Sequence, residues 1–217
     1  MDQDIATVFI IDDDEAICRS LARLIRSGGY EVEAFLSARE FLDRLPFPGV
    51  GCVVADVCMP GMKGPELHDR LLAGSVSLPM IFLTAHGDLP TSVQAMKKGA
   101  VDFLVKPAED ETLLRTIAQA VERHAGRRQK DLEKLAMSLR LARLSPRERE
   151  IMEYVIGGWL NKQIAAELGI SEKTVKVHRS QVMKKMEVRS LAELVRQCQF
   201  LDIAPRRIRT TPGKTKV

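Results

Sequence analysis

The sequence predicts an α/β domain on a five-stranded, parallel, doubly wound sheet, then a helical linker, then an all-α domain of four helices. Three observations carry this. A length of 217 residues favours two domains over one. Over residues 1–124, five short apolar runs alternate with amphipathic helical segments, and repeated βα units of that size form a parallel sheet. Beyond Ala125 the strand pattern stops, and helix formers, capping residues and glycine turns take over.

The first strand, Val8–Ile11 in "TVFIIDDDEA", is β-branched and aromatic throughout, as a strand buried on both faces must be. Further strands are expected at Glu31–Phe35, Cys52–Ala55, Met80–Thr84 and Asp102–Val105. Between them the spacing predicts helices at Glu15–Ser27, Ala38–Leu45, Gly64–Ala73, Leu89–Lys98 and Glu109–Arg123. Gly28-Gly29 stops the first of these and Lys98-Gly99 the fourth.

In such a sheet the site lies at the carboxyl ends of the strands. Asp12 and Asp13 follow the first strand, and Asp56 follows the third. Thr84 ends the fourth, and Lys106-Pro107 follow the fifth. Carboxylates about 4 Å apart repel by ~4 kcal/mol at an effective dielectric of 20, so a fold that gathers them needs a cation. Singly, Asp56 reads as a capping residue, Thr84 as a strand residue and Lys106 as a surface lysine. All five at strand ends, in this order, describe a site. Asp14 is expected to be a solvated acid, and Lys106-Pro107 a cis peptide where the chain turns sharply.

The segment "AGRRQKDLEKLAMSLRLARL" is basic and rich in helix formers. Leu132, Leu135, Leu139 and Ala142 are spaced 3, 4, 3, either as a short coiled-coil seam or as the face of a linker helix resting on a domain. The last domain opens with a capping box, Ser145-Pro146-Arg147-Glu148, on a helix reaching Ile156. Asn161 is expected to cap Lys162–Leu168, Gly169 to make a left-handed turn, and Ser171 to cap Glu172–Glu187. Ser190 and Glu193 box a fourth helix ending near Phe200. Short helix, glycine turn and basic helix are the parts of a helix-turn-helix. The tail over 204–217 is basic and rich in Pro and Thr, and is expected to lack fixed structure.

Residues 1–124 carry 12 basic against 19 acidic side chains, residues 125–200 carry 16 against 9, and the tail from Leu201 carries 5 against 1. The back of the chain therefore attracts a polyanion that the front repels. No apolar stretch approaches the ~18 residues of a membrane span. With no secretory signal at the N-terminus, a cytoplasmic location is expected. Cys18, Cys52, Cys58 and Cys198 have neither metal-ligand spacing nor the density of a disulfide framework.

Asp12-Asp13, Asp56, "MPGMKG", Thr84 and Lys106-Pro107 resemble the receiver domain of two-component response regulators, whose sheet is flavodoxin-like. "LSPREREIMEYVIGGWLNKQIAAELGISEKTVKVHRSQVMKKM" resembles a LuxR-type helix-turn-helix. Together they are similar to the NarL/FixJ class, and "AHGDLPTSVQAMKKGAVDFLVKP" to its FixJ-like branch. The resemblance implies a receiver over 5–124, a helical linker over 125–143 and a DNA-binding domain over 144–203. It implies that Asp56 takes a phosphoryl group from a sensor histidine kinase. Mg²⁺ would be held by Asp13, by Asp12 largely through water, by Asp56 and by the Cys58 carbonyl. Lys106 would neutralise phosphoryl charge, Thr84 would bond to the phosphoryl group, and Phe103 would swing inward as part of the switch. Homodimerisation, promoter DNA and RNA polymerase are the further partners implied. Lys176 and Val177 would read base edges on one helical face with Lys173 and Ser180, and Thr174, Arg179 and Lys184 suit phosphates.

Two positions depart from relatives. Cys58 stands where many FixJ-like members have Arg, and Ala108 where Phe is usual. With His86, Cys58 is expected to flank the path of the water that hydrolyses the acyl phosphate. A haloacid-type phosphatase also uses a strand-end Asp, but needs an acid two residues on, where this chain has Cys58. An enzyme is therefore not expected. The alternative is a regulator that binds DNA without phosphorylation.

Overall fold

The computed structural model describes residues 5–74, 76–85 and 102–206. These fall into two compact units, 1–129 and 130–217. The first holds β1 (Thr7–Ile11), α1 (Glu15–Ser27), β2 (Glu31–Phe35), α2 (Ala38–Arg44), β3 (Gly51–Asp56), α3 (Gly64–Ala73), β4 (Met80–Thr84) and β5 (Asp102–Val105). All strand pairs are parallel, in the order β2-β1-β3-β4-β5. That is the flavodoxin-like order, with its switch point between β1 and β3. The helix expected over Leu89–Lys98, and His86, lie outside the described residues.

Alternation along the strands builds two cores, one on each face. Phe9, Ile11, Val53, Ala55 and Phe82 pack with Phe41 and Leu67 on one side. Val8, Ile10, Val54, Ile81 and Leu83 pack with Ile25, Leu113 and Ile117 on the other. β1, β3 and β4 are buried along their whole length, which is why they read as continuous apolar runs. Each fully buried Phe, Leu or Ile contributes ~1.5–3 kcal/mol.

The helix expected over Glu109–Arg123 and the helical linker are one helix, α4 (Asp110–Ala142). Among the described residues its Leu132, Leu135 and Leu139 are exposed. Its inner half is tied to the sheet by the buried His124, whose Nδ1 accepts the Gly51 N–H at 3.1 Å. Burial, then the Arg128 charge, lowers the His124 pKa against the pull of that hydrogen bond.

The second unit contains α5 (Pro146–Ile156), α6 (Asn161–Leu168), α7 (Glu172–Lys185) and α8 (Leu191–Phe200) around Ile151, Met152, Ile164, Val175, Val182, Met186 and Leu194. Ser145, Ser171 and Ser190 cap α5, α7 and α8 as the sequence predicts. Two terminal details differ. Leu160, not Asn161, precedes α6, with Gln163 Oε1 accepting the Leu160 N–H. Asn161 Oδ1 instead accepts from Arg179 Nη1 at 2.7 Å. α7 stops at Lys185 because Glu187 turns left-handed, φ 55°, and its carboxylate meets Arg140 at 2.7 Å. Gly169 takes φ 62°, the left-handed turn between α6 and α7 that favours glycine.

Candidate functional site

Strand register assembles the first site. Ile11 lies opposite Ala55, so the next residues, Asp12 and Asp56, meet at adjacent strand ends. Thr84 is opposite Val105, which places Lys106 one step beyond, with its N–H donating to the Thr84 carbonyl at 2.7 Å. Asp12, Asp56 and Thr84 are all buried. The cation the carboxylates require is Lys106. Its ammonium donates to Asp56 Oδ1 at 2.6 Å and to Asp12 Oδ2 at 2.5 Å. Burial opposes that charge, but the hydrogen bonds to Asp12 and Asp56 outweigh it and raise the Lys106 pKa. The Lys106–Pro107 peptide is cis, as the sequence predicts.

The remaining oxygens are also engaged. Asp56 Oδ2 accepts the Cys58 N–H at 2.6 Å, and Asp12 Oδ1 accepts the Asp14 N–H at 3.0 Å. Asp14 is not simply a solvated acid, because its Oδ1 caps α1 by accepting from Ala16 and Ile17. The signal was local: an Asp directly before the first helical residue, Glu15. Asp13 and the Cys58 side chain are both exposed.

Among the described residues no three His, Cys, Asp or Glu side chains form a ready metal cage. Mg²⁺ does not need one, since it binds through one or two carboxylates and keeps several waters. Asp13, Asp56 and the Cys58 carbonyl are hard oxygen donors, and their chemistry fits that demand.

Phe103 on β5 is half-buried against Phe82, ring centroids 6.1 Å apart. Ala108 is partly buried against the second core and lines a groove with Ile17, Leu21, Leu24, Lys106 and Pro107. The small side chain at this departure leaves the groove open beside Lys106.

The second site is α7. Val175, Val182 and Met186 face inward, as the 7 and 4 spacing predicts. Lys173, Lys176, Val177, Ser180 and Lys184 are exposed, while Thr174 and Arg179 are half-buried. Val177 is 54% exposed, an apolar side chain among cations on the outer face. Glu148, 6% exposed, accepts from Lys185 Nζ at 2.6 and 2.9 Å and from the Ser145 N–H, so α5 grips the far end of α7. Sequence reading found the Ser145–Glu148 box but not Lys185.

Arg206, placed by sequence in an unstructured tail, is held. Its N–H donates to the Glu153 carbonyl, and its guanidinium meets the Glu153 carboxylate at 3.1 Å, lying 5.1 Å over the Tyr154 ring. Its carbonyl accepts from Trp159 Nε1 at 3.2 Å.

Comparison with known proteins gives this arrangement its class. The response regulator receiver domain matches residues 8–118, and the luxR family of bacterial regulatory proteins matches residues 142–198. The chain belongs to the two-component response regulators that join a receiver domain to a LuxR-type DNA-binding domain. It is similar to nodulation protein W of Bradyrhizobium diazoefficiens, 46% identical over 92% of this chain and 88% of that protein. It is similar to the transcriptional regulatory protein FixJ of the same organism, 46% identical over 87% of this chain and 92% of that one. Among solved structures, the response regulator StyR matches with a TM-score of 0.85 at 46% identity, covering 90% and 98% of the two chains. No described helix is long and apolar enough to cross a membrane.

Proposed function

We propose that this response regulator is switched by phosphorylation of Asp56, and that the switch promotes dimerisation and promoter binding. The observation that carries the reading is Lys106, shared between Asp12 and Asp56 at the carboxyl edge of the sheet. An Asp56 oxygen attacks the phosphorus of a phosphohistidine on a sensor kinase. A P–O bond forms, the P–N bond breaks, and the histidine departs with its electron pair, leaving an acyl phosphate. Mg²⁺, when bound by Asp13, Asp56, the Cys58 carbonyl and, through water, Asp12, supplies charge neutralisation at the phosphoryl oxygens. Lys106 turns from carboxylate to phosphoryl oxygen and offsets the added charge of about −1.5 to −2. Thr84, one strand away, donates its hydroxyl to the new group, and Phe103 repacks against Phe82. Cys58, smaller than Arg, leaves the water path to the acyl phosphate open.

The receiver spans 5–124, the linker 125–143 and the DNA-binding domain 144–203, with the anchor at Arg206 extending the last. α7 enters the major groove. Lys173, Lys176, Val177 and Ser180 face base edges, and Thr174, Arg179 and Lys184 hold phosphates. The DNA-bound dimer then acts on RNA polymerase. The test is labelling by acetyl phosphate with Mg²⁺. Wild type takes up phosphate and Asp56→Asn does not; equal labelling of the two rejects the assignment.

A further inference from the structure

A small cavity lies at the edge of the receiver sheet opposite Asp56. α3, the 76–79 loop and α4 wall it, and β3 begins beside it at Gly51, whose N–H donates to His124. Five residues of β3, ~17 Å at 3.3 Å each, separate Gly51 from Asp56. The volume is about 200 Å³, below the ~300–1,000 Å³ of drug-sized pockets, so the cavity suits one small group.

Its polar lining is cationic or neutral. His68, Ser77, Arg123, His124 and Arg127 supply it, and no acid lines the cavity among the described residues. The surrounding sequence makes that selective, because residues 1–124 carry 12 bases against 19 acids. Arg123 and Arg127 are one turn apart on α4, a spacing at which like charges repel. Among the described residues neither guanidinium forms an ion pair with a carboxylate.

His124 adds an oriented donor. It is 6% exposed, and its Nδ1 accepts the Gly51 N–H at 3.1 Å. Burial first, then the Arg128 charge, with Arg127 adding to it, lower the His124 pKa, so the ring is neutral at pH 7. The proton of that neutral ring therefore sits on Nε2. Among the described residues Nε2 has no hydrogen-bond partner, and the ring lines the cavity.

We propose that this cavity binds a small oxyanion, a free phosphate or the phosphoryl group of a monoester, between the Arg123 and Arg127 guanidiniums, with the His124 Nε2–H and the Ser77 hydroxyl as neutral donors. Guanidinium forks match phosphate oxygens in pairs, and two of them call for a dianion rather than a monocarboxylate. The bound group relieves the repulsion between the arginines and ties α4 to the 76–79 loop.

The test is an NMR titration of the full chain without Mg²⁺, at fixed neutral pH and constant ionic strength. Inorganic phosphate, methyl phosphate and acetate are added in separate series while the histidine imidazole signals are followed. The His124 signal is the one lost in His124→Gln. Phosphate is expected to shift it saturably with a Kd of about 1 mM or tighter, and acetate is not. Arg123→Gln and Arg127→Gln, both at exposed positions, should each weaken phosphate at least about tenfold. Saturation by methyl phosphate as well assigns the site to a phosphoryl group on a larger molecule, and saturation by inorganic phosphate alone assigns it to the free ion. Asp56→Asn should titrate like wild type; a lost shift there seats the anion at the strand-end site and overturns the proposal. No saturable shift, an equal shift with acetate, or unchanged phosphate affinity in both arginine variants also overturns it.

Discussion

Asp12 and Asp56 face one another across adjacent strand ends, and the Lys106 ammonium lies between them. Lys106→Ala leaves two buried carboxylates to repel. The expected loss is about 2–3 kcal/mol, below the 3–5 kcal/mol of a fully buried pair because the rim is open to water. Urea denaturation at pH 7 measures it. Because the Lys106 pKa is raised on folding, its contribution is full below the ordinary lysine value of 10.5 and disappears only as pH rises through the raised one. The difference between wild type and variant should therefore stay flat from neutral pH to about pH 9. Mg²⁺ should raise the melting temperature of Lys106→Ala more than that of wild type, since it replaces the missing cation. An equal rise would place the metal elsewhere.

Helix ends show which contacts the sequence discloses. Ser145, Ser171 and Ser190 each bond to a backbone N–H three residues ahead, so the partner falls within the same short window. Asn161 pairs across 18 residues with Arg179, Arg206 across 53 with Glu153, and His124 across 73 with Gly51. No local pattern announces those; Asn161, Glu187 and Arg206, with Asp14, are among the places where the sequence reading and the structure part. The five strand-end residues were legible because parallel register lines up strand ends whatever the side chains do. Two outcomes follow at this scale. Lys185 first, then the Ser145 N–H, hold the Glu148 carboxyl below its usual range. Its stabilisation is thus present above pH 4.5 and lost as pH falls through the depressed value. Glu148→Gln should cost ~1–2 kcal/mol at pH 7, read in urea, and approach wild type at low pH. His124 has a lowered pKa, so the unfolded chain takes up a proton first, and its stabilisation weakens as pH falls below 6.5. His124→Gln retains an acceptor for Gly51 and should flatten the urea midpoint between about pH 5 and 7.

Across the chain, acidic residues dominate the front and basic residues the back, so charge alone assigns the polyanion to the second unit. The proposed coupling passes through dimerisation of phosphorylated chains. Coupling free energies of that kind are typically about 1–3 kcal/mol, a 5- to 150-fold change in affinity. The most direct test is therefore equilibrium binding of the full chain to a duplex it selects from a random pool, with and without acetyl phosphate and Mg²⁺, for wild type and Asp56→Asn. Wild type should bind at least about fivefold more tightly with the phosphodonor present, and Asp56→Asn should show no change. Wild-type affinity that does not respond, or an Asp56→Asn response equal to that of wild type, would contradict a switch seated at Asp56.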